Sequence, residues 1–276
     1  MYRLLDDLRQ SGTVVSAHAS FVEWLAEAIP AGMEIGTFSS HEELSGQADL
    51  MFSIGGDGTI LDAVPLLGDS GIPVLGINMG RLGFISSVAK DEISKTVGEI
   101  LMGHYTTEQR SLLELVAPQW VFHDTVNYAL NEINIIRNPE HSLLAIKVFV
   151  NDVFLNTYWG DGILMATPTG STAYSLSAGG PILTPDSRNF VITPIAAHNL
   201  TVRPIVIPDD SVVRIHVEGR EKKFVFSMDS RVCALDTSVE LVVRKADFSI
   251  RTVRMADTDF FSTIRNKLSW GKDNRN

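Results

Sequence analysis

The sequence predicts an α/β domain followed by a strand-rich, sandwich-like β domain, with a C-terminal helical tail packing back on the first. Three observations carry this reading. Helical and extended patterns alternate up to about residue 105. Within that stretch, the apolar run Ala48 to Ile54 has the length of a buried parallel strand and is followed at once by glycines. From about Thr106, short apolar runs separated by turn residues dominate. The expected units are residues 1–105 joined by 255–276, and residues 106–254.

Each element has its own signal. Tyr2 to Gln10 puts Leu4, Leu5 and Leu8 on one helical face and stops at Ser11-Gly12. Thr13 to Ser16 reads as a short strand, and Phe21 to Ile29 as a helix closed by Pro30. Thr59 to Leu67 and Asp91 to Met102 are amphipathic helices on either side of the buried strand Pro73 to Ile77. Alternation of this kind implies a parallel sheet with helices packed on it. An α/β sheet ordinarily opens on a strand, so a strand ahead of Met1 is expected; the plainer alternative is a domain that starts with a helix. In the second half, strands are expected at Ser111 to Val116, Val126 to Ile136, Leu143 to Val150, Val153 to Tyr158 and Gly162 to Ala166. They continue at Ile192 to Pro194, Ile205 to Ile207, Val212 to Val217, Phe224 to Met228 and Val239 to Arg244. Asn151-Asp152 suits a hairpin turn. One helix is expected from Ser171 to Ala178, and a last one from Asp259 to Trp270.

Composition excludes several classes. The chain has 276 residues, 45% of them hydrophobic, enough to build a core without disulfides. Its 23 basic and 33 acidic residues leave a net charge of −10, which argues against a protein that coats nucleic acid. Small anionic substrates are still allowed, because local donors hold them. The single cysteine, Cys233, fits a reducing compartment and the role of a small buried apolar residue in a strand. No apolar run is long enough to span a bilayer, and Asp6, Asp7 and Arg9 do not suit a signal peptide. A cytoplasmic protein with no membrane partner is expected.

Three places carry chemistry. Gly55-Gly56-Asp57-Gly58-Thr59 lies between a buried strand and a helix. Glycines there are expected to take positive φ and let the backbone approach a phosphate, and the helix start offers free N–H groups and a positive dipole end. A carboxylate amid phosphates is repulsive unless it has a task. Asp57 could accept the proton of an attacking hydroxyl or help to hold Mg²⁺; the bland reading is a glycine turn with a solvated Asp. No GxxxxGK[ST] run occurs.

The second place is Gly160-Asp161-Gly162 followed by the run from Thr167 to Pro181. Hydroxyls at Thr169, Ser171, Thr172, Ser175 and Ser177 suit a purine edge and ribose hydroxyls. Helix capping by Ser171 or Thr172 explains one of them. Asp161 either accepts hydrogen bonds from a ligand or caps the Thr169 to Thr172 turn. The third place is Asn131-Glu132 on an apolar strand, where adjacent polar residues must face opposite sides or mark an irregular strand end. Glu132 suits a ribose diol; a surface-facing Glu is the bland alternative.

Taken together, these motifs resemble the NAD kinase family from about Asp49 to Trp270. The GGDGT motif, the Asn-Glu pair and the stretch Asp161 to Pro181 come in the family's order, and Gly76 to Phe84 (GINMGRLGF) looks like the family's GINxGxLGF loop. The TPTGSTAY run is highly specific, whereas GGDGT alone is shared with lipid kinases and phosphofructokinase relatives. The resemblance implies transfer of the γ-phosphoryl of ATP, or of another donor, to the 2′-hydroxyl of the adenosine ribose of NAD, giving NADP. Asp57 would be the general base, with Gly58 beside it; Gly55, Gly56, Gly58 and Thr59 would form the phosphate loop. Asn131 and Glu132 would hold ribose or adenine edges, and Asp161 the nucleoside end of NAD. Thr172, Ala173, Tyr174, Ser175, Leu176 and Ser177 would line the adenine pocket, with further matches at Ser142, Thr169, Ala196 and Arg231. Mg²⁺ would be carried by the phosphates, with Asp57 as the one protein candidate. The implied fold is a Rossmann-like first domain and an all-β second domain, with the site between them in a homodimer or homotetramer.

The chain departs from the family where many members carry a basic residue shortly after GGDGT. Asp62 stands there, which puts in doubt a phosphate contact from the first turn of that helix. Ala197 replaces a frequent proline. Two rival readings are a GGDGT lipid kinase, which should show a PLGTxND-like loop, and a non-catalytic nucleotide sensor, which gains nothing from Asp57.

Overall fold

The structure, a computed structural model, describes residues 1–276 except 26–27, 81–82, 123–125, 139–142, 221, 257 and 271–276. The chain divides into two units, Met1–Glu108 with Arg251–Asn276, and Gln109–Ile250.

In the first unit, Met51–Gly55 and Val74–Asn78 are parallel strands in register from Met51↔Val74 to Gly55↔Asn78. Val88–Ala89 continues beside Ile77 and Asn78, and Thr252 pairs with Val74 from the other side. Val74–Asn78 is buried along its whole length, as a central parallel strand must be. Leu4, Leu8, Leu75, Ile77, Val97 and Val253 form one core, so the helix Tyr2–Gln10 packs its expected face inward. The helix Asp57–Leu67 starts directly after the strand end at Gly55. A last helix, Phe260–Leu268, is capped by the Asp259 side chain and buries Ile264.

Short elements separate the expected pattern from the observed one. The short strand expected at Thr13 to Ser16 lies at Val15–His18, and its parallel partner Ile35–Phe38 and the one-turn helix His41–Leu44 were not anticipated. Four-residue segments hold too few apolar positions to show a period. The helix expected at Phe21 to Ile29 runs from Ala19 to Leu25.

In the second unit, a six-stranded antiparallel sheet orders Ile205–Pro208, Asn189–Ile195, Gly162–Ala166, Glu132–Ile136, Lys223–Met228 and Arg231–Asp236. Facing it are Val153–Gly160, Leu144–Val150, Val213–Glu218 and the start of Leu241–Met255. Ile133, Ile135, Ile163, Met165, Phe190, Ile192, Phe224 and Phe226 point from the first layer into one core. Ile146, Val148, Val213, Ile215, Leu241 and Val243 meet them there from the second. Alternate residues share a face, so this is a sandwich built on period two. Asn151 and Asp152 take φ of 49° and 64°, the paired left-handed geometry of a two-residue hairpin between Val150 and Val153.

Three expectations in this unit are corrected. The strand drawn from Val126 to Ile136 is interrupted: Tyr128–Ala129 and Glu132–Ile136 flank a break at Leu130 and Asn131. The helix expected from Ser171 to Ala178 is a 3₁₀ turn, Gly170–Thr172, and then the single turn Tyr174–Ser177. Neither Ser171 nor Thr172 caps it; Ala173 occupies that position and offers no side-chain acceptor. The strand expected from Val239 to Arg244 is Leu241–Met255, whose mixed burial disguises its length.

Candidate functional site

In the first unit, the ends of two parallel strands set the site, the place where open α/β sheets leave a crevice. Gly55 and Asn78 lie side by side, and Met79 N–H donates to the Gly55 carbonyl at 3.0 Å. Asp57 opens the following helix, and its carboxylate turns onto the second loop. Phe84 N–H donates to Oδ2 at 2.7 Å; Ile85 N–H, Ser86 N–H and the Ser86 hydroxyl donate to Oδ1 at 3.2, 2.8 and 2.7 Å. Asn78 Nδ2 donates to Ser86 Oγ at 3.0 Å, and Asn78 Oδ1 accepts from Gly80 N–H at 2.7 Å. The motif carboxylate is thus not simply a solvated turn residue; four donors hold its charge.

The glycine roles also differ from expectation. Gly55, Gly56 and Gly58 all lack positive φ, so they are not needed for a left-handed turn. Gly56 and Gly58 instead leave open space where a side chain would stand, and that opening suits a ligand. Gly83 permits a different close approach, between its own loop and the motif carboxylate. A Cβ there would collide with Asp57 Oδ1 and Ser86 Oγ, so only glycine lets this loop close on the carboxylate. Gly55, Gly56, Asp57, Asn78, Met79, Gly80, Gly83 and Lys267 line an open cavity of about 320 Å³. Thr59 starts its helical turn by donating its N–H to the Gly56 carbonyl at 3.1 Å.

The second unit holds the other cluster. Asp229, in the hairpin between Lys223–Met228 and Arg231–Asp236, accepts N–H bonds from Leu130, Asn131 and Glu132 at 2.7, 2.9 and 3.1 Å. That carboxylate fills the strand break and fixes the Asn-Glu pair. Burial pushes the Asp229 carboxyl up, and the three N–H donors and Arg231 oppose the shift. Glu132 faces away from the sandwich core, on the side of the sheet opposite Ile133 and Ile135. It is only 8% exposed; burial first, and then the Asp229 charge, push its carboxyl up to about 8, against a lowering bond from Tyr174 N–H. Asn131 Oδ1 and Glu132 Oε2 are buried without a hydrogen-bond partner. Buried polar atoms left open are costly unless something arrives to meet them.

The Thr167 to Gly180 segment packs against this pair. Thr167 N–H donates to the Asn131 carbonyl at 2.9 Å, and a Cβ on Gly170 would collide with the Asn131 backbone. The dense hydroxyls divide in two. Ser171 is fully buried and ties Pro168 to Leu183, and Ser175 meets Thr193 Oγ1 at 3.1 Å; both are internal staples. Thr172 donates to the Thr169 carbonyl at 3.0 Å. Thr172, Ala173 and Leu176 remain half-buried, Tyr174 and Ser177 exposed, and Thr169 buried.

The remaining predicted residues lie as follows. Asp161 Oδ1 accepts from Arg137 Nε at 2.6 Å and is not the cap of the Thr169 to Thr172 turn. Arg231 directs its guanidinium to the Val126 and Tyr128 carbonyls and stacks over Phe122. Ala196 is exposed with φ of 45°. Ser142 lies outside the described residues. Sequence reading missed Ser86, Asn78, Asp229, Arg137 and Lys267. Asp229 carried a faint signal, since an Asp in a tight hairpin tolerates the left-handed conformation it adopts, with φ of 50°. No cluster of three or more His, Cys, Asp or Glu able to hold a metal occurs among the described residues.

Comparisons with known proteins identify the family. Residues 23–105 match the model of the ATP-NAD kinase N-terminal domain, and residues 130–255 that of the ATP-NAD kinase C-terminal domain. The NAD kinase of Cytophaga hutchinsonii is 42% identical over 260 residues, covering 93% of this chain and 88% of the relative. That of Bacteroides fragilis is 45% identical over 234 residues, covering 85% and 80%. Among solved structures, yeast NADH kinase complexed with NADH matches with a TM-score of 0.87 at 28% identity, covering 98% of this chain and 83% of that one. An NAD kinase from Archaeoglobus fulgidus in complex with ATP matches in fold, with a TM-score of 0.73 at 24% identity over 93% of this chain and 97% of that one.

Proposed function

The chain belongs to the NAD kinase family, phosphotransferases with an alcohol group as acceptor, and from that premise we propose how its residues divide the reaction. The substrates are ATP, carried with Mg²⁺, and NAD. The 2′-hydroxyl oxygen of the adenosine ribose attacks the γ-phosphorus, the bond to the β–γ bridging oxygen breaks, and ADP leaves.

The observation that carries the assignment of a base is the occupancy of the Asp57 oxygens. A carboxylate offers about four acceptor sites in all. Oδ1 takes three donors and Oδ2 only one, so Oδ2 keeps a lone pair for the substrate proton. The fixed loop N–H groups orient the carboxylate, which is the preorganisation that proton transfer needs. Among the described residues no cluster could cage a metal, so Mg²⁺ would come with the nucleotide's phosphates, with Asp57 as the one protein group to help hold it, and would neutralise phosphate charge.

NAD recognition falls to the second unit. Asn131 Oδ1 and Glu132 Oε2 meet the hydrogen-bond donors of the ribose or adenine, and Thr172, Ala173, Tyr174, Leu176 and Ser177 line the base. Asp161, steadied by Arg137, takes the nucleoside end. Ser171 and Ser175 hold the loop rather than the ligand, and Arg231 braces the strand break. The protein works as a homodimer or homotetramer in the cytoplasm. The test is a coupled assay of NADP formation with NAD and varied donors; no NADP from any triphosphate or polyphosphate would overturn the reading.

A further inference from the structure

The geometry points to Lys267 as the side-chain cation that binds the phosphate chain of the phosphoryl donor, an assignment that rests on the kinase reading above. Its helix, Phe260–Leu268, lies far along the chain from the glycine motif, yet Lys267 lines the same cavity as Gly55, Gly56, Asp57, Asn78 and Gly80. Among the described residues lining that cavity it is the only cation, and Asp57 the only anion. Asp57 is not its counter-ion in the fold: the two form no ion pair, and the carboxylate turns instead onto the Phe84–Ser86 loop. Lys267 itself forms no ion pair among the described residues. Its ammonium rests over the Phe84 ring, 4.8 Å from the centroid, a weak cation–π contact that keeps the charge at the cavity and yields readily to an anion.

The need for such a cation follows from the motif helix. Asp57–Leu67 contains no Lys or Arg and carries Asp62 one turn on, so it offers phosphates its N–H groups and dipole but no full positive charge. A triphosphate bears several negative charges, and phosphoryl transfer moves further charge onto the leaving oxygens. A lysine reaching in from another element supplies what the helix lacks. Its backbone is secured at the other end of its own helix: Asp259 caps the first turn by accepting Ser262 N–H at 2.9 Å, and Ile264 is buried. The plain alternative is a surface lysine that complements the helix C-terminus.

The two roles separate in Lys267→Met and Lys267→Arg variants of the full chain. Inorganic tripolyphosphate, which has the phosphate chain without a nucleoside, is titrated by calorimetry; KM for ATP and for NAD comes from steady-state assays. The Met variant should bind tripolyphosphate, and show a KM for ATP, about 10- to 100-fold worse, the scale of a lost charge-assisted hydrogen bond. Its KM for NAD and its melting temperature should stay near those of the parent, and Arg should restore much of the loss. Unchanged tripolyphosphate binding and ATP KM would overturn the proposal. So would a raised KM for NAD alone, which would put the lysine on the acceptor's diphosphate. A lowered melting temperature with both substrates equally affected would assign it to the helix terminus. If the parent chain formed no NADP, the kinase reading would fail while the tripolyphosphate titration still decided the role of Lys267.

Discussion

Asp57 shows how much of a residue's chemistry is set by its partners. An aspartate-to-asparagine change is usually read as shape-preserving, but here both oxygens face donors. The amide nitrogen of Asp57→Asn would point at an N–H or hydroxyl, so the variant loses the base and an anchor of the Phe84–Ser86 loop. We expect its turnover to fall by at least about 100-fold, with a lowered melting temperature. Near-normal NADP formation by that variant would remove Asp57 from the base role. Ser86→Ala keeps the carboxylate and deletes one donor; its rate should drop only about 2- to 10-fold, as for one lost hydrogen bond. A loss as large as that of the Asn variant would mean that the loop, not the proton acceptor, limits the rate. Glu132 gives a pH prediction. Its folded-state pKa, about 8, lies above the ordinary carboxylate value, so the fold favours its neutral form. The stability it contributes is complete below about pH 4 and is lost progressively as pH rises to about 8. Urea melts at pH 5 and pH 8 should show a larger loss for the parent than for Glu132→Gln. Equal slopes in the two proteins would contradict the assigned shift.

At the scale of elements, the strand break at Leu130 and Asn131 is the decisive irregularity. It frees three N–H groups that Asp229 collects, and leaves the Asn131 carbonyl for Thr167 N–H. Gly170 must be glycine because the turn passes directly against the Asn131 backbone. Gly170→Ala should therefore push that turn off the sheet, weakening NAD binding by about tenfold or more and lowering stability by about 1–3 kcal/mol. Isothermal titration with NAD and a thermal melt would check it. An Ala variant that binds and melts like the parent would show that the turn has room to shift.

Considering the chain as a whole, the second unit presents an edge. Val153–Gly160 pairs with Leu144–Val150 on one side and ends its sheet on the other. Val153, Phe154 and Trp159 on this strand are 70%, 54% and 55% exposed, more apolar surface than an edge strand ordinarily leaves open. We expect this strand to contribute to the proposed homo-oligomer. Sedimentation of the parent should give a dimer or larger species, and Phe154→Glu with Trp159→Glu should shift it toward monomer. A parent that sediments as a fully active monomer would rule the assembly out.

The sequence by itself determined what local pattern can encode. Buried strands, amphipathic helices and the Asn151-Asp152 hairpin follow from periods of two and 3.6 residues and from turn chemistry. The motifs at Asp57, Asn131-Glu132 and Thr167 to Pro181 were legible because unusual residue types cluster in them. The tertiary structure alone decided which polar groups satisfy one another. Asp57 with Ser86, Glu132 beside Asp229, Asp161 with Arg137 and Lys267 at the glycine cavity join residues far apart in the chain. A hydrogen bond depends on position to within a fraction of an ångström. No periodicity in one dimension specifies that, so Ser171 and Ser175 look like ligand hydroxyls in the sequence and prove to be staples in the fold.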